Sequence, residues 1–197
     1  MMNQKNKVKT MTIAALLCAI GIMIPMFFPK ILIPPASFTL ASHVPIFIAM
    51  FISPVVALSV ATISGFGFFI SFPLVIALRA FTHLAFAGLG AFILKKNKNI
   101  LLSWKSTALF SLLISVVHAL GEVIIVTYFY WGDQMSEAFY AKGYIFSVLL
   151  LIGAGTIVHS MIDFTIAAFV WKPLQHVITI PANARFGKLT TKNRSNI

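Results

Sequence analysis

Charge is scarce in this sequence, and acidic residues are scarcest of all. Only 10% of the 197 residues are charged, and Asp and Glu together number 4. Soluble domains typically contain about 25% charged and roughly 45–50% apolar residues, whereas the apolar fraction here is 59%. So few charges cannot hydrate the surface of a soluble fold of this length. We therefore expect residues 1–197 to form a single transmembrane domain, because no polar stretch is long enough for a second one.

Motifs for catalysis and for covalent cross-linking are also missing. Cys18 is the single cysteine, so no disulfide framework or cysteine metal site can be built within the chain. There is no Walker-type phosphate loop, no GxSxG and no HExxH. We expect a protein that is not an enzyme and needs no cofactor. If it concentrates a solute, the energy has to come from a partner or from an ion gradient.

Apolar residues occur in runs that approach the ~20 residues needed to cross a bilayer. They predict an all-α integral membrane protein, a bundle of six transmembrane helices. The second helix is short for a full span, so we expect it to start deep or to tilt. The predicted spans are Thr10–Phe28, Phe38–Ile52, Pro54–Ser71, Leu74–Leu94, Lys105–Tyr130 and Gly143–Trp171.

Lys and Arg are distributed unevenly between the two sides of this arrangement. One side carries all of the 15 Lys and Arg residues except Lys30 and Lys142, which lie opposite, and Arg79, which lies within a span. Because Lys and Arg are enriched in cytoplasmic loops, we expect both termini in the cytoplasm. The basic N-terminus (1–9) and a polar, basic tail (about 175–197) would meet solvent or lipid headgroups. Nucleic acid is not an expected partner, since the basic residues lie at the ends of spans.

Seven ionisable side chains lie within the predicted spans, where each costs at least ~2.5–3.5 kcal/mol on insertion. Six of them form three i,i+4 pairs on three helices, which places both members of a pair on one helix face, and the seventh stands alone on the second helix. Such polar stripes most economically face inward together. The seven residues are His43, Arg79, His83, His118, Glu122, His159 and Asp163.

A rise of about 1.5 Å per residue sorts these groups by depth. The outer cluster comprises Arg79, His83, Glu122 and His43, with His118 below it. The guanidinium fork can pair with both oxygens of a small carboxylate, and imidazole can bond to a ring nitrogen or hydroxyl. We predict these five as substrate-binding residues; the alternative is a buried Arg79–Glu122 ion pair that only fixes packing.

The pair on the sixth span, His159 and Asp163, is expected to lie nearer the cytoplasm and to serve packing. His and carboxylate groups at this spacing can also ligate a metal, but the pattern is unspecific, and no metal site is expected. On the outer side, loops 29–37 and 131–142 either cap a cavity or merely connect helices. On the first helix, Ala15 and Ala19 form a small-residue stripe that suits close helix packing, with a partner or within the chain.

The whole chain resembles the S components of energy-coupling factor transporters, small six-helix vitamin-binding proteins of the bacterial cytoplasmic membrane. It is most similar to the niacin-specific group, in the segments Ile33–Pro54, Ala77–His83 and Gly155–Phe164. The resemblance implies that Ala15 and Ala19 dock on a transmembrane coupling protein. It also implies two ATPase subunits, a small carboxylate vitamin bound from outside, and toppling of the S component to release it inside.

Other functions stay open at this point. A pantothenate-specific S component is a near rival, because pantothenate also carries a carboxylate. A carrier that acts alone could use the buried His, Glu and Asp groups as a proton relay, although no inverted repeat of the kind found in many carriers is visible. An intramembrane metal-dependent enzyme is a third class, which the missing catalytic motif disfavours.

Overall fold

The computed structural model describes residues 4–33, 36–178 and 180–187. Its long helices are α1 (Gln4–Phe27), α3 (Pro54–Ser71), α4 (Leu74–Lys96), α5 (Trp104–Trp131) and α7 (Gly155–Val177). The shorter elements are strands β1 (Lys30–Ile33) and β2 (Ala36–Thr39), helix α2 (Val44–Ile52), helix α6 (Glu137–Ala141), a 3₁₀ turn (Ile100–Leu102) and a π-helical segment (Ile145–Ala154) that runs into α7.

Within these described ranges, five helices are long and apolar enough to cross a membrane, counting the π-helical segment and α7 as one. Only 28–44% of each apolar stretch is buried inside the protein. The outer surfaces carry large apolar side chains such as Ile70, 90% exposed, and Val55, 75% exposed. This arrangement suits a lipid environment, and the all-α membrane class predicted from composition is confirmed.

Five of the six predicted spans coincide with observed helices, although α1 begins at Gln4, six residues before the predicted start at Thr10. The third span has the predicted bounds, since Ser53 accepts a hydrogen bond from the Val56 N–H as an N-cap and Pro54 occupies the first turn. The fourth and fifth begin and end within two residues of the prediction. The sixth continues to Val177, six residues past the expected end at Trp171.

The prediction of a helix beginning at Phe38 is wrong, because helix α2 begins only at Val44. Residues before it form an antiparallel hairpin in which Lys30 pairs with Thr39 and Ile33 with Ala36. The nine residues of α2 are all buried, and they pack against α1, α3, α4 and α7. This short helix therefore forms the centre of the bundle, and the hairpin covers one end of it.

Part of the predicted polar tail folds back on the protein. Ile180, Ala184 and Phe186 are buried, and the backbone N–H of Ala184 donates to the carbonyl of Phe51 at the end of α2. Residues 180–187 thus close the end of the bundle opposite the hairpin. The remaining tail residues, 188–197, lie outside the described residues.

Candidate functional site

A cavity of about 260 Å³ lies beneath the hairpin, at the end of the bundle where α1 ends and α4 begins. Ligand sites typically occupy about 300–1,000 Å³, so this cavity suits a small molecule. Its walls come from the hairpin and from all seven described helices, α1 to α7, together with the turn before α2. All five residues predicted to bind substrate line it: His43, Arg79, His83, His118 and Glu122.

Arg79 and Glu122 form an ion pair at one wall of the cavity. The Arg79 Nη2 donates to Glu122 Oε2 at 2.7 Å, and the Thr156 hydroxyl donates to the same oxygen at 2.8 Å. The Arg79 side chain is 19% exposed. Its buried Nε has no hydrogen-bond partner among the described residues. Arg79 therefore pairs with Glu122 and also borders the cavity.

Four histidines meet deeper in the cavity, grouped around His43. The His43 ring centroid lies 4.5 Å from that of His118, 4.8 Å from His83 and 5.1 Å from His159. The His83 and His118 centroids are 4.9 Å apart. Each pair meets edge to face, so several ring nitrogens converge in one small volume. A ligand in this cavity meets imidazole on more than one side.

Asp163 fixes the turn from which His43 projects. Its carboxylate is fully buried and accepts from the backbone N–H of Ala41 at 2.8 Å and of His43 at 2.9 Å. It also lies 3.0 Å from His43 Nδ1 and 3.4 Å from His159 Nε2. The Ala41 backbone has a φ of 66°, a conformation that L residues rarely adopt. Asp163 is thus positioned beneath the histidines and holds this turn in place.

Several cavity residues were not among the predicted substrate-binding residues. His159 lines the wall and packs against Phe38 of the hairpin at 5.5 Å between centroids. Thr156 lies one helical turn before it, so the GTIVHS sequence presents both to one face. Aromatic walls come from Phe38, Phe68 and Phe72. The i,i+3 spacing of Thr156 and His159 could have indicated that both face the cavity. The contact between His159 and Phe38 of the hairpin could not be recognised from the sequence.

The predicted docking residues lie elsewhere on the molecule. Ala15 and Ala19 are exposed on α1, while Leu17 and Cys18 between them are buried. Neither alanine lines the cavity. The small-residue stripe is therefore not used for packing within the described part of the chain, and it faces outward.

The chain was compared with protein-family profiles and with solved structures, and neither comparison gave a match. It is 39% identical over 193 residues to the niacin transporter NiaX of Lactococcus lactis subsp. cremoris (strain MG1363). The alignment covers 97% of this chain and 86% of that protein. Together with the apolar spans, this similarity identifies a multi-pass protein of the cell membrane. The chain belongs to the family of that transporter, the niacin group of S components of energy-coupling factor transporters.

Proposed function

We propose that this protein is the niacin-binding S component of an energy-coupling factor importer. It binds the vitamin from outside and catalyses no reaction itself. The observation that supports this most directly is the cavity beneath the hairpin, which is lined by the Arg79 guanidinium and by several imidazoles. The chain that contains this cavity is also a relative of a niacin transporter.

Nicotinate has the chemistry to match the two ends of the cavity. Its carboxylate would accept from the Arg79 guanidinium, because that side chain lines the cavity and is partly exposed to it. Its flat ring would lie between the aromatic walls of Phe38 and Phe68. The ring nitrogen would point to the histidines on the opposite side. Nicotinamide lacks the charge that an arginine recognises, so we expect it to bind more weakly.

Six membrane spans with both termini in the cytoplasm complete the proposal. The five long helices supply five of them, and α2 together with the hairpin that precedes it would supply the second span. The Lys and Arg distribution supports an orientation in which the hairpin and the cavity would lie on the outer side. The hairpin and α6 would then form the lid over the vitamin, since both contribute residues to the cavity wall.

Uptake would require a transmembrane coupling protein and two ATPase subunits. Ala15 and Ala19 of α1 are the proposed docking surface, because small exposed residues allow close approach of another helix. Buried His, Glu and Asp side chains would serve binding and packing rather than a proton relay.

Uptake of radiolabelled nicotinate tests this function directly. The chain is expressed in niacin-transport-deficient bacteria, alone or with the coupling protein and both ATPases. We expect uptake only in the complete set, with competition by nicotinate but not by pantothenate. Uptake by the chain alone that collapses with a protonophore would identify a proton-coupled carrier instead. Stronger competition by pantothenate would assign the other vitamin.

A further inference from the structure

We propose that His43, His83 and His118 form a binding site for one divalent transition-metal ion of the zinc type, at the inner end of the cavity. All three residues line the cavity, so an ion that they hold would border it. A coordination position would remain for an atom of the bound vitamin. The metal site stands on its own geometry, whereas the contact with the vitamin rests on the proposed function.

The three imidazoles are already close to coordination distance. One ring nitrogen from each lies within 4.8 Å of the other two. A tetrahedral ion with Zn–N bonds of about 2.0–2.1 Å needs ligand nitrogens about 3.3 Å apart. Binding of an ion would therefore draw these nitrogens together by up to about 1.5 Å, through side-chain rotations at the start of α2, on α4 and on α5. Three imidazoles suit Zn²⁺, Cu²⁺, Ni²⁺ or Fe²⁺.

His118 supplies an independent reason to expect a ligand. It is fully buried, and neither ring nitrogen has a hydrogen-bond partner among the described residues. Its Nε2 forms an ion-pair contact with Glu122 Oε1 at 3.5 Å, whereas Nδ1 has neither a hydrogen-bond nor an ion-pair partner among the described residues. The Phe86 ring lies 4.6 Å away between centroids, tilted by 41°, and its side chain carries no nitrogen or oxygen acceptor. Buried polar atoms without partners are rare, and a metal ion would satisfy one of these nitrogens.

Asp163 prepares His43 for coordination. Its carboxylate lies 3.0 Å from Nδ1 of that ring and is itself held by two backbone N–H groups. In metal-binding histidines, the N–H of the second ring nitrogen characteristically donates a hydrogen bond to such a carboxylate. This bond fixes the tautomer and the orientation of the ring. A proton on Nδ1 leaves the Nε2 lone pair of His43 available to a metal.

Metal content is measured on the full chain, purified from membranes with a tag that contains no histidine. After dialysis against a chelator, the protein is titrated with CoCl₂ and, separately, with ZnCl₂. We expect one ion per chain and the visible absorption bands of low-symmetry Co²⁺, which Zn²⁺ then displaces. His83→Ala and His118→Ala should each weaken Co²⁺ binding at least about 100-fold, more than the effect of changing an outer-shell group.

The matched control is His176→Ala, because that histidine is exposed near the end of α7 and lies outside the triad. It should bind Co²⁺ like the wild type. Absence of stoichiometric Co²⁺ or Zn²⁺ in the folded wild-type protein overturns the proposal without any variant. So does unchanged Co²⁺ binding in monodisperse His83→Ala and His118→Ala proteins.

A nicotinate titration distinguishes a failure of the proposed vitamin–metal contact from a failure of the proposed niacin function, on which that contact rests. We expect the metal-free protein to bind nicotinate more weakly than the Zn²⁺-loaded protein, and nicotinate to shift the Co²⁺ spectrum. Tight nicotinate binding without metal, and without any spectral shift on Co²⁺, would refute the vitamin–metal contact while leaving the niacin function intact. Stoichiometric metal with no nicotinate binding would refute the function while leaving the metal site intact.

Discussion

At the scale of single residues, one buried carboxylate organises much of the site. Asp163 receives hydrogen bonds from two backbone N–H groups in the turn before α2, and it lies beside two of the cavity histidines. Charge-assisted hydrogen bonds of this kind contribute about 1.5–3 kcal/mol each. The position of His43 in the cavity therefore depends on a residue 120 positions away in the chain.

Asp163→Asn should destabilise the protein and weaken nicotinate binding together. The amide keeps the size of the side chain but accepts through one oxygen only, so at least one of these bonds is lost, at about 1.5–3 kcal/mol. We expect a lower midpoint of thermal unfolding in detergent. Glu137→Gln is the matched control, since that carboxylate is exposed on α6, and it should leave the midpoint unchanged. Equal midpoints for both variants would contradict the role assigned to Asp163.

The sequence predicted which residues line the cavity better than it predicted how deep each residue lies in the membrane. The i,i+4 pairs on α4 and α5 placed Arg79, His83, His118 and Glu122 on inward faces, because helical periodicity is a local property. His159 was expected nearer the cytoplasm, since depth was counted along straight, independent spans. Its contact with Phe38 depends on a hairpin that reaches down into the bundle. Such non-local packing leaves no periodic signal in the chain.

At the scale of elements, the hairpin β1–β2 is the part that sequence reasoning missed. Its segment was expected to be a Pro-rich loop followed by a helix from Phe38, because apolar residues there continue into α2. Alternation is hard to recognise in strands of four residues. By contrast, the bounds of α3 were predictable, because the Ser53–Pro54 signal is local.

Gly155→Ala should disturb the hairpin from below. A Cβ at this position would lie 2.8 Å from the Phe38 ring, which forms part of the cavity wall. Overpacking costs about 1–3 kcal/mol, so we expect nicotinate affinity to fall roughly 5-fold or more. Ala154→Val adds bulk at the adjacent exposed position and should bind normally. Wild-type affinity in Gly155→Ala, measured by calorimetry, would mean that Phe38 is not part of the binding wall.

Ala15→Leu combined with Ala19→Leu should separate binding from transport. Both side chains are exposed on α1 and distant from the cavity lining, so nicotinate affinity should be unchanged. Uptake in the presence of the coupling protein and ATPases should fall to background, because the larger side chains prevent close helix approach. Ala85→Leu, at an exposed position on α4, should transport normally. Full uptake by the double variant would exclude this docking surface.

At the scale of the whole molecule, the distribution of polar and apolar side chains is the reverse of that in a soluble protein. Apolar side chains cover the outer surface, whereas six of the seven ionisable groups of the spans line one cavity beneath the hairpin, and Asp163 lies beside two of its histidines. The cavity has access to a vitamin only if that end of the bundle faces the outside. Membrane orientation is therefore as important to the account as the cavity itself.

Two serines allow a matched test of orientation. In a Cys18→Ala background, Ser136→Cys places a thiol at the start of α6 and Ser103→Cys places one before α5; both serines are exposed. A membrane-impermeant maleimide should label Ser136→Cys in intact cells and Ser103→Cys only after permeabilisation. The reverse pattern would place the cavity on the cytoplasmic side and contradict import from outside.

The most direct test of the central claim is a calorimetric titration of nicotinate into purified wild-type and Arg79→Ala proteins. Loss of a buried, hydrogen-bonded charge partner costs about 2–5 kcal/mol, which weakens binding roughly 30-fold or more. We predict saturable one-to-one binding by the wild type and by Lys142→Ala, which removes an exposed cation outside the cavity. Arg79→Ala should remain monodisperse and show at least this loss. A folded Arg79→Ala protein with wild-type affinity would contradict the account.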